Sequence, residues 1–593
     1  MAAMSELRPR YRWLLPARPD VTEELAAAGR RAGLSERALR LLAGRGHRSA
    51  SDLEAHLGRP EGALHDPKLL PDAAAVAVRV AQARERRERV LVVGDFDADG
   101  LTGLAILVLA LRRLGLDAQP YVPDRRFEGH GLSLAAVDHA ASEGRTLVLT
   151  VDTGTSSLVE VEAARSRGLD VIITDHHHVP PTRPDALALV NPHRPDSGYP
   201  DPRLAGTGVA FKVAQLLLEP EPGGEAAALE LADLAVIGTV SDLAPLVGEN
   251  RALARLGIAR LREAPRPGLA ALMAAAAVKP DRLDLDTIAY SLAPRLNAGG
   301  RVGEAMTGAR LLLAADAAEA EPLAAELEAA NRTRRELTTA ALEAARLEAD
   351  RTPEAPVVIV AGPWPVGVIG LVAGRLVEER GVPAVVVATE ADPWRASARG
   401  PAGAQLAAAF AACDDLLERH GGHPQAAGCQ FRAEAYGELR ARLLDLLADP
   451  APAADRRPSL AIDLAVPARE VDYRLLHDLA VLDPTGPGNP APLVGIAGLA
   501  VTRVRAAAAE HASLVLRKER EVLDAIAFDR ADLLGLVAEG DRVDVVARLG
   551  SRAFGGYESL QLDVRDVAPA GHLAAVAAGV APEPEPRLAS RVA

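Results

Sequence analysis

Residues 90–111, VLVVGDFDADGLTGLAILVLAL, decide how this chain is interpreted. Residues 90–93 are an apolar run of the kind that forms a buried parallel strand. Three carboxylates then occupy alternate positions, at Asp95, Asp97 and Asp99, before an apolar helical segment begins. Open α/β sheets bind ligands just beyond the carboxyl ends of their strands, which is where these carboxylates lie. Carboxylates so close together repel one another unless a cation neutralises them.

An EF-hand calcium loop begins with the same Asp-x-Asp-x-Asp-Gly pattern. That loop needs a bidentate glutamate at its twelfth position, where this chain has Ile106, and it follows a helix rather than a strand. These differences exclude an EF-hand. A solvated acidic turn is the other alternative, and it is disfavoured because the pattern recurs downstream.

Three further apolar runs end in acidic or histidine side chains. They are residues 146–151 before Asp152, residues 171–174 before Asp175, His176, His177 and His178, and residues 234–240 before Ser241 and Asp242. We interpret each run as a strand and expect all four strand ends to meet at one edge of a single sheet. Mixed carboxylate and imidazole ligands suit Mn²⁺ or Mg²⁺, and Zn²⁺ is less favoured since no cysteine joins them.

In this order, the motifs resemble those of the DHH phosphoesterase superfamily, and most closely those of its RecJ exonuclease family. The matching stretches are DFDADG at 95–100, VDTG at 151–154, DHH at 175–177 and GTVSD at 238–242. The resemblance extends from about residue 30 to residue 568. It implies a metal-dependent exonuclease for single-stranded DNA that works 5′ to 3′ and releases 5′-mononucleotides. It also implies two Mn²⁺ or Mg²⁺ ions as cofactors.

The resemblance further implies roles for the acidic and histidine residues. The candidate catalytic residues are Asp152, which would bridge the two ions, His177, which would contact the scissile phosphate, and Asp175, which would orient the histidines. The candidate metal ligands are Asp95, Asp97, Asp99, Asp152, His176, His177 and Asp242. No role for His178 follows.

The same resemblance implies phosphate and DNA contacts elsewhere in the chain. They are Arg125, Arg295, Asn297, Arg301, Ser397, Arg399, Gly421, Gly422 and His423. Guanidinium groups match phosphate in bidentate fashion, and glycines allow a backbone to approach it closely. The alternative explanation is surface arginines and ordinary glycine turns. The chain departs from the family pattern at His130, Pro365 and Thr485.

The alternation of strand-like and helix-like runs predicts an α/β protein with several domains. We expect two α/β domains, DHH catalytic and DHHA1-like, joined by a long helix around a groove, and a carboxy-terminal OB-type β-barrel. The expected ranges are a helical lead-in at 1–75, the DHH domain at 76–315, the helix at 316–350, the DHHA1-like substrate-binding domain at 351–447, the nucleic-acid-binding barrel at 459–568 and a disordered tail at 569–593. Within the second domain, residues 395–399 are interpreted as a turn.

The composition limits the class of protein. The net charge of −14 argues against a general nucleic-acid-binding surface but is compatible with a local basic channel. Only two cysteines occur, without a CxxC pair, which excludes a disulfide framework. No apolar stretch is long enough to span a bilayer. We expect a cytoplasmic monomer that binds single-stranded DNA and, by the resemblance, works with a helicase and a single-strand-binding protein.

Two other functions remain open. The first is a different DHH phosphoesterase, such as a hydrolase of short oligonucleotides or cyclic dinucleotides. Such chains resemble only the first two domains, so the barrel argues against this function. The second is a non-catalytic scaffold that binds single-stranded DNA. Every metal motif here keeps its Asp or His, which argues against a scaffold.

Overall fold

The computed structural model describes residues 7–16, 19–124, 127–129, 131–263, 265–353, 355–448, 457–507, 510–554 and 557–579. The chain divides into two compact units. One unit is Ala63–Ala454, and the other combines Met1–Gly62 with Asp455–Ala593. Within the described ranges, no helix has both the length and the apolar character needed to cross a membrane.

The amino-terminal part of the chain contains one strand and three helices: β1 (Arg12–Leu14), α1 (Glu23–Arg31), α2 (Glu36–Gly44) and α3 (Ala50–Leu57). Each helix follows a Ser or Thr whose side chain accepts a hydrogen bond from the first turn, at Thr22, Ser35 and Ser49. Their apolar side chains share one hydrophobic core with the barrel strands. Residues 1–62 therefore belong to the barrel unit, whereas the sequence suggested a separate lead-in to the first sheet.

The other unit begins with a five-stranded parallel sheet. Its elements are α4 (Ala73–Arg86), β2 (Arg89–Gly94), α5 (Ala98–Arg113), β3 (Asp117–Tyr121), α6 (Leu134–Ser142), β4 (Leu147–Val151), α7 (Leu158–Ser166), β5 (Asp170–Thr174) and β6 (Ala188–Val190). The strand order is β3-β2-β4-β5-β6, and every neighbouring pair is parallel. In β2, Val90 and Val92 enter one core and Leu91 and Val93 enter another. The sheet is thus covered on both faces, as its apolar strands predicted.

Helices complete this first α/β domain. They are α8 (Gly206–Leu218), α9 (Gly224–Glu230), α10 (Ala232–Ser241), α11 (Gly248–Glu263), α12 (Pro267–Ala275), α13 (Leu285–Thr287), α14 (Ala293–Val302) and α15 (Ala305–Leu313), with a π-helical turn (Ile288–Leu292) between α13 and α14.

The prediction of a fourth metal-bearing strand at residues 234–240 is wrong, because this run lies in α10. Every residue of the run is buried. A short segment that is apolar on all sides does not distinguish a buried helix from a buried strand. Asp242 consequently follows the carboxyl end of a helix.

A long helix, α16 (Ala317–Ala349), leads into the second α/β domain, as predicted, and it contains Pro322 near its start. The domain consists of β7 (Val358–Gly362), α17 (Val366–Arg380), β8 (Ala384–Ala388), β9 (Trp394–Arg399), α18 (Leu406–Ala411), β10 (Arg419–His423), β11 (Ala426–Phe431) and α19 (Tyr436–Leu447). The strand order is β10-β11-β9-β8-β7, with only β7 and β8 parallel.

The turn predicted at residues 395–399 is a strand instead, because these residues lie in β9. Residues 421–428 form the inner part of the β10–β11 hairpin, including its turn. The first segment is rich in Ala and Ser and the second in Gly and Ala, which are not typical of strands. Pairing with neighbouring strands overrides this weak local preference.

The carboxy-terminal region is a closed barrel, as predicted. It comprises β12 (Ser459–Ala461), β13 (Leu464–Ala465), α20 (Tyr473–Leu479), β14 (Val494–Ala507), β15 (His511–Lys518), β16 (Glu521–Ala527), α21 (Leu533–Leu536), β17 (Arg542–Phe554), β18 (Tyr557–Pro569) and α22 (His572–Ala577). Strand β14 pairs with both β15 and β17, which closes the ring β14-β15-β16-β18-β17. Strand β18 and helix α22 occupy the start of the tail predicted to be disordered, and residues 580–593 lie outside the described residues.

Candidate active site

The first acidic loop is shaped by the start of α5. Asp97 caps the helix, because its Oδ1 accepts hydrogen bonds from the backbone N–H groups of Asp99, at 3.0 Å, and Gly100, at 3.1 Å. A Cβ on Gly100 would lie 2.6 Å from the Asp95 nitrogen, so only glycine fits there. The Asp97 cap and the close approach at Gly100 therefore hold the carboxylates of the motif in one tight turn.

Asp99 is buried and is held by the amino-terminal end of α8. Its Oδ2 accepts from the Gly206 N–H and its Oδ1 from the Thr207 N–H, both at 2.8 Å. The free N–H groups and the dipole of a helix start stabilise a negative charge at this position. A Cβ on Gly206 would lie 2.6 Å from Asp152 Oδ1, and one on Gly238 would lie 2.7 Å from Asp99 Oδ1. Gly238 opens the GTVSD motif, whereas Gly206 was missed, although the Gly-Thr-Gly at the start of α8 was a usable signal.

Asp152 lies at the centre of the cluster, directly after β4. Its backbone has a φ of 59°, a left-handed conformation that is strained for a non-glycine residue. The side chain is buried, and its Oδ1 lies 3.0 Å from His176 Nε2. Asp152 Oδ1 accepts no hydrogen bond from the described part of the chain. Such an atom fits a metal ligand, since buried polar atoms otherwise find partners.

Asp175 organises the histidine motif after β5. Its Oδ1 accepts from the His176 N–H at 2.8 Å and lies 2.8 Å from His177 Nδ1, while its Oδ2 accepts from the Thr155 N–H at 2.9 Å. The buried Asn191, which sequence reasoning missed, donates to the His177 carbonyl at 2.9 Å. Asn191 directly follows β6, and a polar residue just after a strand was the sequence signal that could have identified it.

The pKa values of the acidic cluster indicate uncompensated negative charge. Loss of hydration and the nearby Asp242 raise the pKa of Asp99 to about 7. Loss of hydration and Asp97 raise the pKa of Asp242 to about 7. Burial and Asp99 also raise the pKa of Asp152 well above its ordinary value. A bound cation would remove this cost of holding several carboxylates together.

The two histidines differ in charge. Burial lowers the pKa of His176, which keeps its ring neutral and able to bind a metal. The hydrogen bond to Asp175 raises the pKa of His177 to about 9 despite partial burial. Burial would raise the pKa of Asp175, but the hydrogen bonds from His177 and Thr155 hold it below its ordinary value.

Three groups of side chains offer ligand atoms that lie within 4.8 Å of one another. They are Asp152 with His176 and His177, Asp99 with His176 and Asp242, and Asp95 with Asp97 and Asp152. The structure thus brings together all seven predicted ligands. Their oxygen and imidazole donors, without sulfur, fit Mn²⁺ or Mg²⁺.

The predicted phosphate contacts in the first domain are engaged with the protein itself, where the structure describes them. Arg295 Nε donates to Glu328 Oε2 at 2.6 Å. Asn297 contacts Ala98 and Ser241, and Arg301 donates to the Gly367 carbonyl at 3.2 Å. Arg125 lies outside the described residues. Their phosphate-binding roles stay predictions.

The predicted contacts in the second domain lie side by side across three strands. Gly428 pairs with Ser397 on one side and with Gly421 on the other. Ala426 likewise pairs with Arg399 and with His423. Arg399 also donates to Ser397 Oγ at 3.3 Å. The sheet therefore collects residues that are separated in sequence, including Gly422 beside them, onto one small area.

Comparisons with known proteins agree with this architecture. Residues 89–239 match the model of the DHH family N-terminal domain, residues 355–449 the DHHA1 domain and residues 462–566 the RecJ OB domain. The single-stranded-DNA-specific exonuclease RecJ of Bacillus subtilis is 34% identical over 534 residues, which are 89% of this chain and 67% of that protein. The RecJ of Escherichia coli is 33% identical over 554 residues, which are 89% of this chain and 95% of that protein.

Solved structures extend the similarity to metal-bound forms. The crystal structure of RecJ in complex with Mn²⁺ from Thermus thermophilus matches with a TM-score of 0.80 and 31% identity, covering 94% of this chain and 79% of that one. The Mg²⁺ complex of RecJ from the same organism matches with a TM-score of 0.75 and 30% identity, covering 94% and 78%. From its three domains and from relatives that match 89% of it, we conclude that the chain belongs to the RecJ family of single-stranded-DNA-specific exonucleases.

Proposed function

We propose that this protein is a divalent-metal-dependent exonuclease that degrades single-stranded DNA from its 5′ end and releases 5′-mononucleotides. The observation that carries the proposal is the buried cluster of Asp and His side chains around Asp152. The relatives support the substrate, since their names describe exonucleases specific for single-stranded DNA.

The cluster would hold two Mn²⁺ or Mg²⁺ ions. Asp152 would be a ligand common to two of the three groups, because its Oδ1 is central to the cluster and accepts no hydrogen bond from the described residues. The remaining ligands would be Asp95, Asp97, Asp99, His176 and Asp242. When bound, the ions would activate a water molecule and neutralise charge that develops on the phosphate.

His177 is better suited to the phosphate than to a metal. Its Nδ1 faces Asp175, so the ring presents Nε2 as its second donor, and its side chain is 50% exposed. The hydrogen bond to Asp175 raises the pKa of His177 to about 9, which favours the protonated ring and a donor role towards the phosphate. It would donate a charge-assisted hydrogen bond to the scissile phosphate. Asp175 would act by holding the ring in this charge state and orientation.

The area around Ser397 would bind the 5′ phosphate and so set the polarity of the enzyme. Arg399 supplies a cation, and the exposed hairpin with Gly421, Gly422 and His423 supplies backbone groups that an anion can approach. Arg301 would add a second cation. The barrel would supply a further basic face for single-stranded DNA.

The resemblance and the composition also bear on the oligomeric state, the compartment and the partners of the protein. We propose that the protein works as a monomer in the cytoplasm, on single strands that a helicase exposes and a single-strand-binding protein covers. The low cysteine content supports a reducing compartment.

The experiment that tests the function uses a long 5′-phosphorylated single strand with Mn²⁺, labelled at its 3′ end in one sample and at its 5′ end in another. Degradation from the 5′ end releases the 5′ label at once as a mononucleotide and shortens the 3′-labelled strand progressively. Shortening from the 3′ end would contradict the proposed polarity. Turnover confined to short oligonucleotides or cyclic dinucleotides would instead identify a different DHH phosphoesterase.

A further inference from the structure

Asn297 lies between the first acidic loop and the segment that carries Asp242. It belongs to α14, and its side chain reaches the first acidic loop on one side and the end of α10 on the other. Its Oδ1 accepts a hydrogen bond from the Ala98 N–H at 2.6 Å. Its Nδ2 donates to Ser241 Oγ at 3.3 Å. One amide therefore connects a backbone position flanked by Asp97 and Asp99 with a residue adjacent to Asp242.

The contact with Ala98 completes the cap of α5. Asp97 satisfies the N–H groups of Asp99 and Gly100, which leaves the N–H of Ala98 at the helix start without that partner. Asn297 satisfies it from a separate helix. The conformation of the loop that carries three carboxylates thus depends on a side chain about two hundred residues away in sequence.

Close packing of α14 against the loop makes this reach possible. A Cβ on Gly300 would lie 2.9 Å from Phe96 Cδ2 and 3.0 Å from the Phe96 carbonyl oxygen. Because Gly300 and Asn297 are one turn apart on α14, the same close approach brings the short Asn side chain to Ala98. A residue with a larger side chain at position 300 would separate the helix from the loop.

We propose that Asn297 is a positioning residue, which fixes the distance between the Asp97–Asp99 loop and Asp242 and thereby sets the affinity of the cluster for divalent cations. The sequence suggested a phosphate contact for Asn297, and the two roles predict different effects of its removal. The inference rests on the proposed metal-dependent function. It concerns the geometry of the group formed by Asp99, His176 and Asp242, whose members come from three separate segments.

The test measures Mn²⁺ binding without DNA, by electron paramagnetic resonance of free Mn²⁺ and by calorimetry, for the full-length protein. Asn297→Ala should weaken binding by about 10- to 100-fold, as loss of groups that hold metal ligands usually does. Ser241→Ala removes only the second half of the bridge and should weaken binding less. The double variant should bind about as weakly as Asn297→Ala, because the two side chains act through one contact.

A phosphate-binding role would give a different pattern. Asn297→Ala would then raise KM for a 5′-phosphorylated strand and leave Mn²⁺ affinity unchanged, and this result would overturn the inference. If Asn297→Ala does not fold, as judged by circular dichroism in EDTA, Ser241→Ala decides the question, since unchanged Mn²⁺ affinity in that variant counts against the bridge. Wild-type protein that degrades DNA in the absence of any divalent cation would refute the proposed function itself, and the inference would fall with it.

Discussion

His177 Nδ1 lies 2.8 Å from Asp175 Oδ1, and this contact determines the charge of the histidine. The carboxylate raises the pKa of His177 to about 9 and is itself held below its ordinary pKa by the same hydrogen bond. Both partners are thus charged at neutral pH. The arrangement presents an imidazolium at the exposed side of a buried acidic cluster.

Replacing this carboxylate should change the pH profile of the enzyme. A raised pKa means that the imidazolium is present below that pKa and is lost as pH rises through it, so activity should fall on the alkaline side. In Asp175→Asn the pKa of His177 should drop towards its ordinary value, which moves the alkaline limb of the pH profile to lower pH and lowers kcat by about 30-fold at pH 8 through the smaller protonated fraction. Steady-state rates between pH 6 and 9.5 measure both effects. Asp138→Asn, which removes a surface ion pair with Arg167, is the matched control. If the alkaline limb of the pH profile does not move in Asp175→Asn, the role assigned to Asp175 is contradicted.

Metal binding should depend steeply on pH near neutrality. Asp99 and Asp242 each have a pKa of about 7 in the metal-free protein, so below that pH they hold protons that a cation must displace. Mn²⁺ affinity should therefore rise as pH increases from 6 to above 7 and then level off, with proton release on binding at pH 6. Calorimetry in two buffers of different ionisation enthalpy counts the protons. Affinity that does not change across this range would contradict the pKa values.

The contact between α14 and α17 should control recognition of the 5′ end. A Cβ on Gly367 would lie 2.2 Å from the Arg301 carbonyl oxygen, so Gly367→Ala must displace one of the two helices. We expect KM for 5′-phosphorylated strands to rise about tenfold, since a misplaced Arg301 loses a charge-assisted contact of about 1.5 kcal/mol or more. Gly374→Ala is the control, because a Cβ there meets no atom within 4 Å. Equal KM values for the two variants would exclude a role for this contact.

The barrel unit should depend on Asp566, which is fully buried. Its carboxylate accepts from the Trp13 Nε1–H at 2.8 Å and from the N–H of Tyr11 at 3.0 Å, and it pairs with Arg530 at 3.3 Å. Asp566→Ala leaves the buried Trp13 donor without its acceptor and leaves Arg530 paired with Asp532 alone, and it should cost about 1–3 kcal/mol. Thermal unfolding of the two units should separate, with only the barrel transition lowered. Asp524→Asn, at an exposed strand position, is the control and should leave the midpoints of both transitions unchanged. An unchanged midpoint of the barrel transition in Asp566→Ala would contradict this account.

The sequence predicted those parts of the site that follow strands. Asp152 and Asp175 come directly after β4 and β5, and parallel strands necessarily bring such residues to one edge of the sheet. Asp242 was also recognised, but by its motif, since the preceding buried run is helical. Local pattern does not distinguish these two structures when every side of a segment is apolar.

Other features depend on contacts that no local pattern records. The hydrogen bonds between Gly206 and Asp99 and between Asn297 and Ala98 each join residues more than one hundred positions apart. The strand at residues 395–399 exists because β8 and β11 pair with it on both sides. The described helices between residues 23 and 57 join the barrel because their apolar faces complete its core, a fact that their own periodicity does not reveal.

The most direct test of the account compares wild-type protein with Asp152→Ala on a long 5′-phosphorylated single strand labelled at its 3′ end, with Mn²⁺ or with EDTA. The account predicts progressive shortening from the 5′ end for the wild type with Mn²⁺. It predicts no shortening in EDTA and a rate at least about 10³-fold lower for Asp152→Ala at any Mn²⁺ concentration. Degradation that persists in EDTA, or that survives the loss of Asp152, would contradict a hydrolysis centred on this carboxylate.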